Sequence, residues 1–300
     1  MFEAIYAMRR DFKAGDDVRD AGLTTPPDIA RLDDVCYSAD PATQSLDVYR
    51  PRGSAGTPLP VIVSVHGGGW VYGDKERYQY YCMSLAQRGF AVVNFTYRLA
   101  PESAFPAPVE DTNAVFTWVL AHADELALDT SRIFAVGDSA GAHLLCMYAC
   151  ILTNPAYAAR FPFATPQGLE LRGVGLNCGV YDLTPESDPK LGALTTELKQ
   201  CFLPDHGSAA DVDTFELASK VTPAFPPSFV MTAVHDMVRD RSPRLVAALQ
   251  EAGVEFQYRF YRDPERKLSH VFHCDVRNPY ATLCNDDTCA FFRMLMERPA

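Results

Sequence analysis

The sequence predicts an α/β protein whose mostly parallel central sheet is covered by helices on both faces. Apolar runs of strand length alternate with helical stretches of about 10–18 residues along most of the chain. Several of these runs, such as LPVIVSVHGGGW, are continuous rather than alternating, which is typical of strands buried on both faces. A chain of 300 residues can also bury a large core without disulfide or metal support.

The elements follow in a regular order after a polar start. Residues 1–31 are predicted to be partly helical, with a break at Pro26-Pro27. The segment SLDVYRP alternates like a half-buried strand. The later strands are LPVIVSV, FAVVNFTYR, SRIFAVGD, LRGVGLNCGV, PPSFVMTAV and VEFQYRFY. The helices include RYQYYCMSLAQRG, VEDTNAVFTWVLAHADEL, the segment after Ser139 through about Leu152, and a last helix around CAFFRMLM.

Two later segments carry further structural signals. Ser242-Pro243 predicts a helix with Ser242 as N-cap and Pro243 as its first residue, and Gly253 ends that helix. Residues 183–222 break the alternation with prolines and short helical pieces. We therefore expect a single domain in which residues 183–222, together with the first 31 residues, form a small helical cap.

Composition and charge limit the classes of function. The formal net charge of −11 is spread along the chain, which argues against nucleic acid and anionic membranes as partners. The start of the sequence, Met1 to Arg10, has no apolar stretch of signal-peptide length, and no apolar run of 18 residues, the length of a membrane-spanning helix, occurs later. Nine cysteines cannot all pair, so we expect free thiols and a cytoplasmic location. The sequence is also compatible with a homodimer.

Two glycine-rich motifs indicate acyl transfer. In AVGDSAG, Ser139 occupies a G-x-S-x-G pattern between a strand and a helix, which is the context of a nucleophile elbow. HGGGW, residues 66–70, follows a buried strand, and its glycines would let backbone N–H groups approach a developing oxyanion. Neither a phosphate-binding loop nor a dinucleotide fingerprint is present.

HGGGW, YRLAPESAFPAPVED and GDSAG at these spacings resemble the hormone-sensitive-lipase-like branch of the α/β-hydrolase fold, whose members are mostly carboxylesterases. The resemblance covers about residues 35–298 and implies an α/β-hydrolase with an oxyanion hole. The N–H groups that it implies for this hole are those of Gly68, Gly69 and Ala140. It further implies that Arg98 and Glu102 are structural and hold the loop beneath the site.

A serine nucleophile needs an imidazole to take its proton and a carboxylate to orient that imidazole. In this fold the order along the chain is serine, acid, histidine. SFVMTAVHDMVRD offers Asp236 and Asp240 as the acid. Asp236 comes directly after the strand, where the family has its acid, whereas Asp240 suits the first turn of the next helix.

Seven histidines compete for the role of base, and two remain. LSHVFHCD, in the loop after the last strand, contains both His270 and His273. His270 fits the family's H-x-F pattern, and His273 stays as the alternative. Five others are explained by positions in the oxyanion loop, in helix packing, at a polar helix end, in the irregular insert or beside the acid: His66, His143, His122, His206 and His235.

Five residues lie close to these motifs in the sequence, and we expect them to line the substrate pocket: Trp70, Tyr72, Tyr181, Val271 and Phe272. HVFHC could be combined with Cys284 and Cys289 into a zinc site, but the C-x4-C spacing is loose and no second pair is present. The sequence therefore predicts no metal and no cofactor. Cys146 and Cys150, one helical turn apart, are interpreted as small apolar residues.

The sequence thus predicts a serine carboxylesterase that acts on a small-molecule ester with a short acyl group. SLDVYRP, VIVSVHGGGW and HDMVRD also resemble bacterial esterases that remove acetyl or feruloyl groups from plant polysaccharides, which would make imported oligosaccharides a substrate. One alternative is a non-catalytic small-ligand receptor on this scaffold, against which the three triad candidates argue. Another is a peptidase or thioesterase of the same fold. The chain leaves no room for the propeller or larger cap of a peptidase.

Overall fold

The computed structural model describes residues 2–183 and 189–298, so part of the predicted cap, residues 184–188, lies outside the described residues. One eight-stranded sheet forms the centre. Its strands are β1 (Ile29–Cys36), β2 (Ser45–Pro51), β3 (Leu59–Val65), β4 (Ala91–Phe95), β5 (Leu128–Asp138), β6 (Leu171–Asn177), β7 (Ser228–Ala233) and β8 (Phe256–Tyr261). They lie in the order β1-β2-β4-β3-β5-β6-β7-β8.

Helices connect most of these strands. They are α1 (Glu3–Asp20), α2 (Lys75–Ala86), α3 (Ala107–Ala121), α4 (Ala123–Leu126), α5 (Ala140–Thr153), α6 (Pro155–Ala158), α7 (Pro189–Cys201), α8 (Ala209–Phe215), α9 (Ser242–Glu251) and α10 (Pro279–Met296). Every neighbouring pair from β4 through β8 is parallel. Strand β2 runs antiparallel to both β1 and β4. The predicted α/β-hydrolase fold, with its mostly parallel sheet flanked by helices, is confirmed.

Apolar cores lie on both faces of the sheet, which explains the continuous apolar runs. Along β3, Val61 and Val63 join the core beneath α3, α5 and α9. Ile62, between them, joins the core beneath α2 and α10. Because successive side chains point to opposite faces, a strand covered on both sides needs apolar residues at every position.

Two details of the sequence prediction are wrong, and one boundary differs slightly. The predicted cap segment, about residues 1–31, overlaps edge strand β1 (Ile29–Cys36) by three residues; most of this strand is exposed, and three of its eight residues are charged. Strand β2 is not half-buried, since Ser45 to Tyr49 are all buried. Ser242 is the first residue of α9 rather than its N-cap, because a short 3-10 turn at Arg239–Arg241 leads directly into the helix.

Candidate active site

Ser139 lies on the sharp turn between β5 and α5. Its φ of 52° and ψ of −119° are unusual for a residue with a side chain. A Cβ at Gly137 would collide with the backbone of Gly141, and a Cβ at Gly141 would collide with the carbonyl oxygen of Val65. The two glycines of the motif are therefore required for β5, α5 and β3 to approach one another.

The HGGGW loop follows β3 and lies beside this turn. Gly68 has a φ of 114°, and a Cβ there would overlap the carbonyl oxygen of Tyr72. Gly69 and Ala140 line the same cavity in front of Ser139, and Gly68 lines an adjacent one. Ala140 is the first residue of α5, a position whose N–H has no acceptor within its own helix.

Asp236 follows β7 and is buried. Its Oδ2 accepts a hydrogen bond from the Thr232 hydroxyl at 2.6 Å, and its Oδ1 accepts from the Val238 N–H at 3.0 Å. Burial alone would raise the pKa of Asp236, but these hydrogen bonds and the one from His270 outweigh burial and lower it below its usual value of 3.8. The carboxylate is therefore charged at neutral pH.

His270 connects Ser139 and Asp236. Its Nδ1 lies 2.6 Å from Asp236 Oδ1, and its Nε2 lies 2.9 Å from Ser139 Oγ. A parallel bridge between His235 and Ser269 holds the loops after β7 and β8 side by side, which brings the acid next to the imidazole. The three side chains thus form one hydrogen-bonded series.

His273 is buried away from Ser139. Its ring packs edge-on against Tyr81 at 5.0 Å, and burial lowers its pKa to about 3. His66 stacks on Tyr97 at 4.0 Å beneath the HGGGW loop, and burial lowers its pKa to about 4. Both rings are therefore neutral packing groups at the pH values where an imidazole base works.

Two clusters of described residues bring potential metal ligands within 4.8 Å of one another: Cys178 with Asp236 and His270, and Asp138 with His273 and Cys274. In the second cluster Asp138 Oδ2 already accepts a hydrogen bond from Tyr78 at 2.8 Å. Burial also raises the pKa of the Cys274 thiol well above 9.0, which disfavours a thiolate ligand. Cys284 and Cys289, the zinc ligands considered above, belong to neither cluster. That the protein needs no metal stays a prediction.

Three cavities meet at Ser139. The α1 cavity, of about 540 Å3, is lined by Met8, Phe12, Leu194, Met237, Val238 and His270 among others. The oxyanion-side cavity, of about 140 Å3, is lined by Gly69, Trp70, Ala140, Phe202 and Leu203 among others. The Asp16-side cavity, of about 240 Å3, includes Asp11, Asp16, Gly68, His270 and Val271 in its walls.

Two of the five predicted lining residues border these cavities. Trp70 lines the oxyanion-side cavity and stacks on Phe202 at 5.5 Å, while Val271 lines the Asp16-side cavity. The other three, Tyr72, Tyr181 and Phe272, line none of the three cavities, so their prediction needs correction.

Each of these three side chains has another role. Phe272 lies in a short 3-10 turn that directs its ring into the core against Tyr261. Tyr181 is 2 % exposed, and its ring lies close to Gly179. The Tyr72 hydroxyl donates to Asp16 at 2.8 Å and so holds α1 in place.

Sequence reasoning missed the contribution of α1 to the site. Ala4, Met8 and Phe12 recur at four-residue spacing and line the α1 cavity, so helical periodicity could have revealed this face. Arg9, on another face, donates to the carbonyl oxygen of Val71 at 2.7 Å and pairs with Glu102. This contact supports a structural role for Glu102 in the loop beneath the site.

The sheet, the strand–serine–helix turn and the glycine loop define an α/β-hydrolase. A family profile described as alpha/beta hydrolase fold matches residues 62–274. Carboxylesterase NlhH of Mycobacterium tuberculosis is 30% identical over 78% of this chain and 75% of its own length. The chain therefore belongs to the hormone-sensitive-lipase-like carboxylesterase family of this fold.

Other similar proteins are esterases as well. Versiconal hemiacetal acetate esterase of Dothistroma septosporum is 29% identical over 71% of this chain and 67% of its own length. The solved structure of esterase B from Lactobacillus rhamnosis superposes with a TM-score of 0.88 at 25% identity, covering 98% of this chain and 94% of that one. These similarities support carboxylesterase function. Among the helices of the described residues, none is long and apolar enough to cross a bilayer.

Proposed function

We propose that the protein is a serine carboxylesterase that hydrolyses small esters with short acyl groups through an acyl-enzyme. The observation that carries this proposal is the series Ser139–His270–Asp236, with contacts of 2.9 and 2.6 Å. In it, Ser139 is the nucleophile, His270 is the general base and then acid, and Asp236 orients His270. The N–H groups of Gly68, Gly69 and Ala140 form the oxyanion hole.

The proposed reaction has two halves. Ser139 Oγ attacks the ester carbonyl while His270 Nε2 accepts its proton, and the oxyanion hole holds the charge that develops on the carbonyl oxygen. The intermediate expels the alcohol, which leaves with that proton. Water, deprotonated by His270, then cleaves the acyl-enzyme and restores Ser139. Asp236 remains ionised and stabilises the imidazolium in both halves.

The cavities support a short acyl group. Because His270 protonates the departing oxygen, the alcohol lies on the His270 side and the acyl group lies in the oxyanion-side cavity. That cavity has about 140 Å3, and Trp70 with Phe202 forms an aromatic wall in it. The esterase B of Lactobacillus rhamnosis has been solved with a C4-C4 tributyrin phosphonate, which agrees with acyl groups of this length.

The relatives also help to choose between acetyl esters and other substrates, and between an esterase and the alternative functions of this fold. An acetate esterase among them supports acetyl esters as substrates, so acetylated oligosaccharides belong in the assay. A non-catalytic receptor would not need the hydrogen-bonded series, and the names of the relatives quoted above are those of esterases rather than of peptidases or thioesterases.

The experiment measures hydrolysis of p-nitrophenyl acetate, butyrate and octanoate, beside an acetylated oligosaccharide. Ser139→Ala should abolish activity, since loss of a triad nucleophile costs about 10⁶ in kcat in subtilisin. Ser131→Ala, an exposed serine near the other end of β5, is the matched control and should retain activity. Ser139→Ala activity within tenfold of the wild type would overturn the proposal.

The same assay tests acyl length. Wild-type kcat/KM should be highest for acetate to butyrate and at least about tenfold lower for octanoate, because methylenes that do not fit are penalised. Trp70→Ala should raise the octanoate-to-acetate ratio if the indole limits the acyl group. A lower Tm with an unchanged ratio would assign Trp70 to packing alone, and a wild-type preference for octanoate would overturn the short-acyl assignment.

A further inference from the structure

The alcohol side of the site is much larger than the acyl side. The α1 cavity and the Asp16-side cavity, with about 540 and 240 Å3, both have His270 in their walls, whereas the walls of the oxyanion-side cavity do not include it. The leaving alcohol must lie near His270 to receive its proton. The site therefore has room for a bulky alcohol even though the acyl side is small.

One face of α1 forms much of this alcohol side. Ala4, Met8 and Phe12 contribute apolar surface, and Asp11 lines both the α1 cavity and the Asp16-side cavity. Leu194 of α7 adds apolar surface to the same space. An alcohol bound there would meet a mainly apolar wall with a carboxylate in it.

The two carboxylates of this wall differ in their partners. Asp16 pairs with Arg19 at 2.8 Å and accepts a hydrogen bond from Tyr72 at 2.8 Å. The side chain of Asp11 makes no hydrogen bond or ion pair with any residue that the structure describes. Its neighbours at i−4 and i+4 are Ala7 and Gly15, which offer no cation. Asp11 is thus available to a ligand.

We propose that the leaving alcohol has an apolar body and carries a cationic group, as an amino alcohol does, and that Asp11 selects it. This inference rests on the proposed esterase function, because it concerns the alcohol of the same reaction. The apolar wall takes the body of the alcohol, and the Asp11 carboxylate attracts its cation. An anionic alcohol would be repelled by Asp11 and by the net charge of −11.

The test uses two butyrate esters of nearly identical shape, those of choline and of 3,3-dimethylbutanol, which differ in charge. Their kcat/KM values are compared in the wild type, in Asp11→Asn and in Asp124→Asn. Asp124 is the control because it is an exposed carboxylate far from the site. It belongs to α4, which precedes the amino end of β5, whereas Ser139 follows the carboxyl end of β5 at the opposite edge of the sheet. Comparing the ratio between variants removes the intrinsic difference in reactivity between the two alcohols.

Asp11→Asn should lower the choline-to-neutral ratio about fivefold, and high salt should lower the wild-type ratio as well. Asp124→Asn should leave the ratio unchanged. An Asp11→Asn ratio equal to that of the wild type would overturn the role of Asp11 while leaving the esterase function intact. If the wild type hydrolyses neither ester nor p-nitrophenyl butyrate, the proposed function itself is wrong and this inference fails with it.

Discussion

Ser139 is oriented by the backbone before any substrate arrives. A φ of 52° costs a residue with a side chain about 1–3 kcal/mol, and the tight packing around Gly137 and Gly141 maintains it. Asp138, the preceding residue, is buried and accepts a hydrogen bond from the Tyr78 hydroxyl. The oxygen of that hydroxyl in turn accepts a hydrogen bond from the N–H of Gly67. The serine turn and the glycine loop are thereby connected by a single buried hydrogen-bond chain.

The two histidines of LSHVFHCD should respond differently to truncation. His270→Ala should lower kcat by roughly 10³ or more, because Ser139 loses the group that accepts its proton. His273→Ala should stay within about tenfold of the wild type, since its ring packs against Tyr81 and does not contact Ser139. Steady-state kinetics with p-nitrophenyl acetate measures both, and the reverse result would assign the base to His273.

Sequence patterns predicted Ser139 from its glycine motif and Asp236 from its place after a strand, whereas His270 was predicted from the family's H-x-F pattern, with His273 as the alternative. They predicted only two of the five proposed lining residues correctly, because lining depends on where side chains turn after the motif ends. Phe272 is two residues from His270, yet its ring enters the core. Met237 directly follows Asp236 and does line the α1 cavity, although no motif contains it.

At the level of elements, α1 and α7 are joined through one side chain. Glu197 of α7 accepts the N–H of Ala4 at 3.1 Å and the N–H of Ile5 at 2.9 Å. These N–H groups belong to the first turn of α1, where a carboxylate is favourable for the helix dipole. The two helices that line the α1 cavity are therefore held together by a cap that no local sequence signal reveals.

Glu197→Gln should loosen this contact. The amide keeps one acceptor but loses the charge, which we expect to weaken the docking of α1 by about 0.5–1 kcal/mol. The backbone amides of α1 should exchange faster, as measured by hydrogen exchange, and KM for esters of bulky alcohols should rise. Glu251→Gln, an exposed residue of α9, is the control. Unchanged exchange in α1 would show that Glu197 does not hold it.

The strands show why sequence patterns predicted the fold class better than they predicted the edge strand of the sheet. Strands β3 to β7 are buried runs whose apolar character follows from cover on both faces. Edge strand β1 has no such run, because only Ile29 is fully buried while Arg31, Asp33 and Asp34 face solvent. Its pairing with β2 depends on long-range contact, and a window of local sequence does not contain that information.

At the level of the whole molecule, buried titratable groups make stability depend on pH. Burial lowers the pKa of His66 and His143 to about 4 and that of His273 to about 3, against 6.5 for an ordinary histidine. The three neutral histidines therefore add to the free energy of unfolding above pH 6.5. This contribution is lost as the pH falls, because protons bind to the histidines of the unfolded chain first. Burial raises the pKa of Asp138 to about 7 from 3.8, so its contribution has the opposite sign, being present at low pH and lost toward pH 7.

Near pH 5.5, unfolding should therefore take up about three protons at the histidines and release about one from Asp138. A net uptake of about two protons makes the free energy of unfolding fall by roughly 3 kcal/mol per pH unit on acidification. Urea unfolding at pH 7.5, 6.0 and 5.0 measures this slope. His273→Gln should reduce it by about one proton. A free energy of unfolding that is the same at pH 7.5 and 5.0 would contradict the neutral, buried state of these histidines.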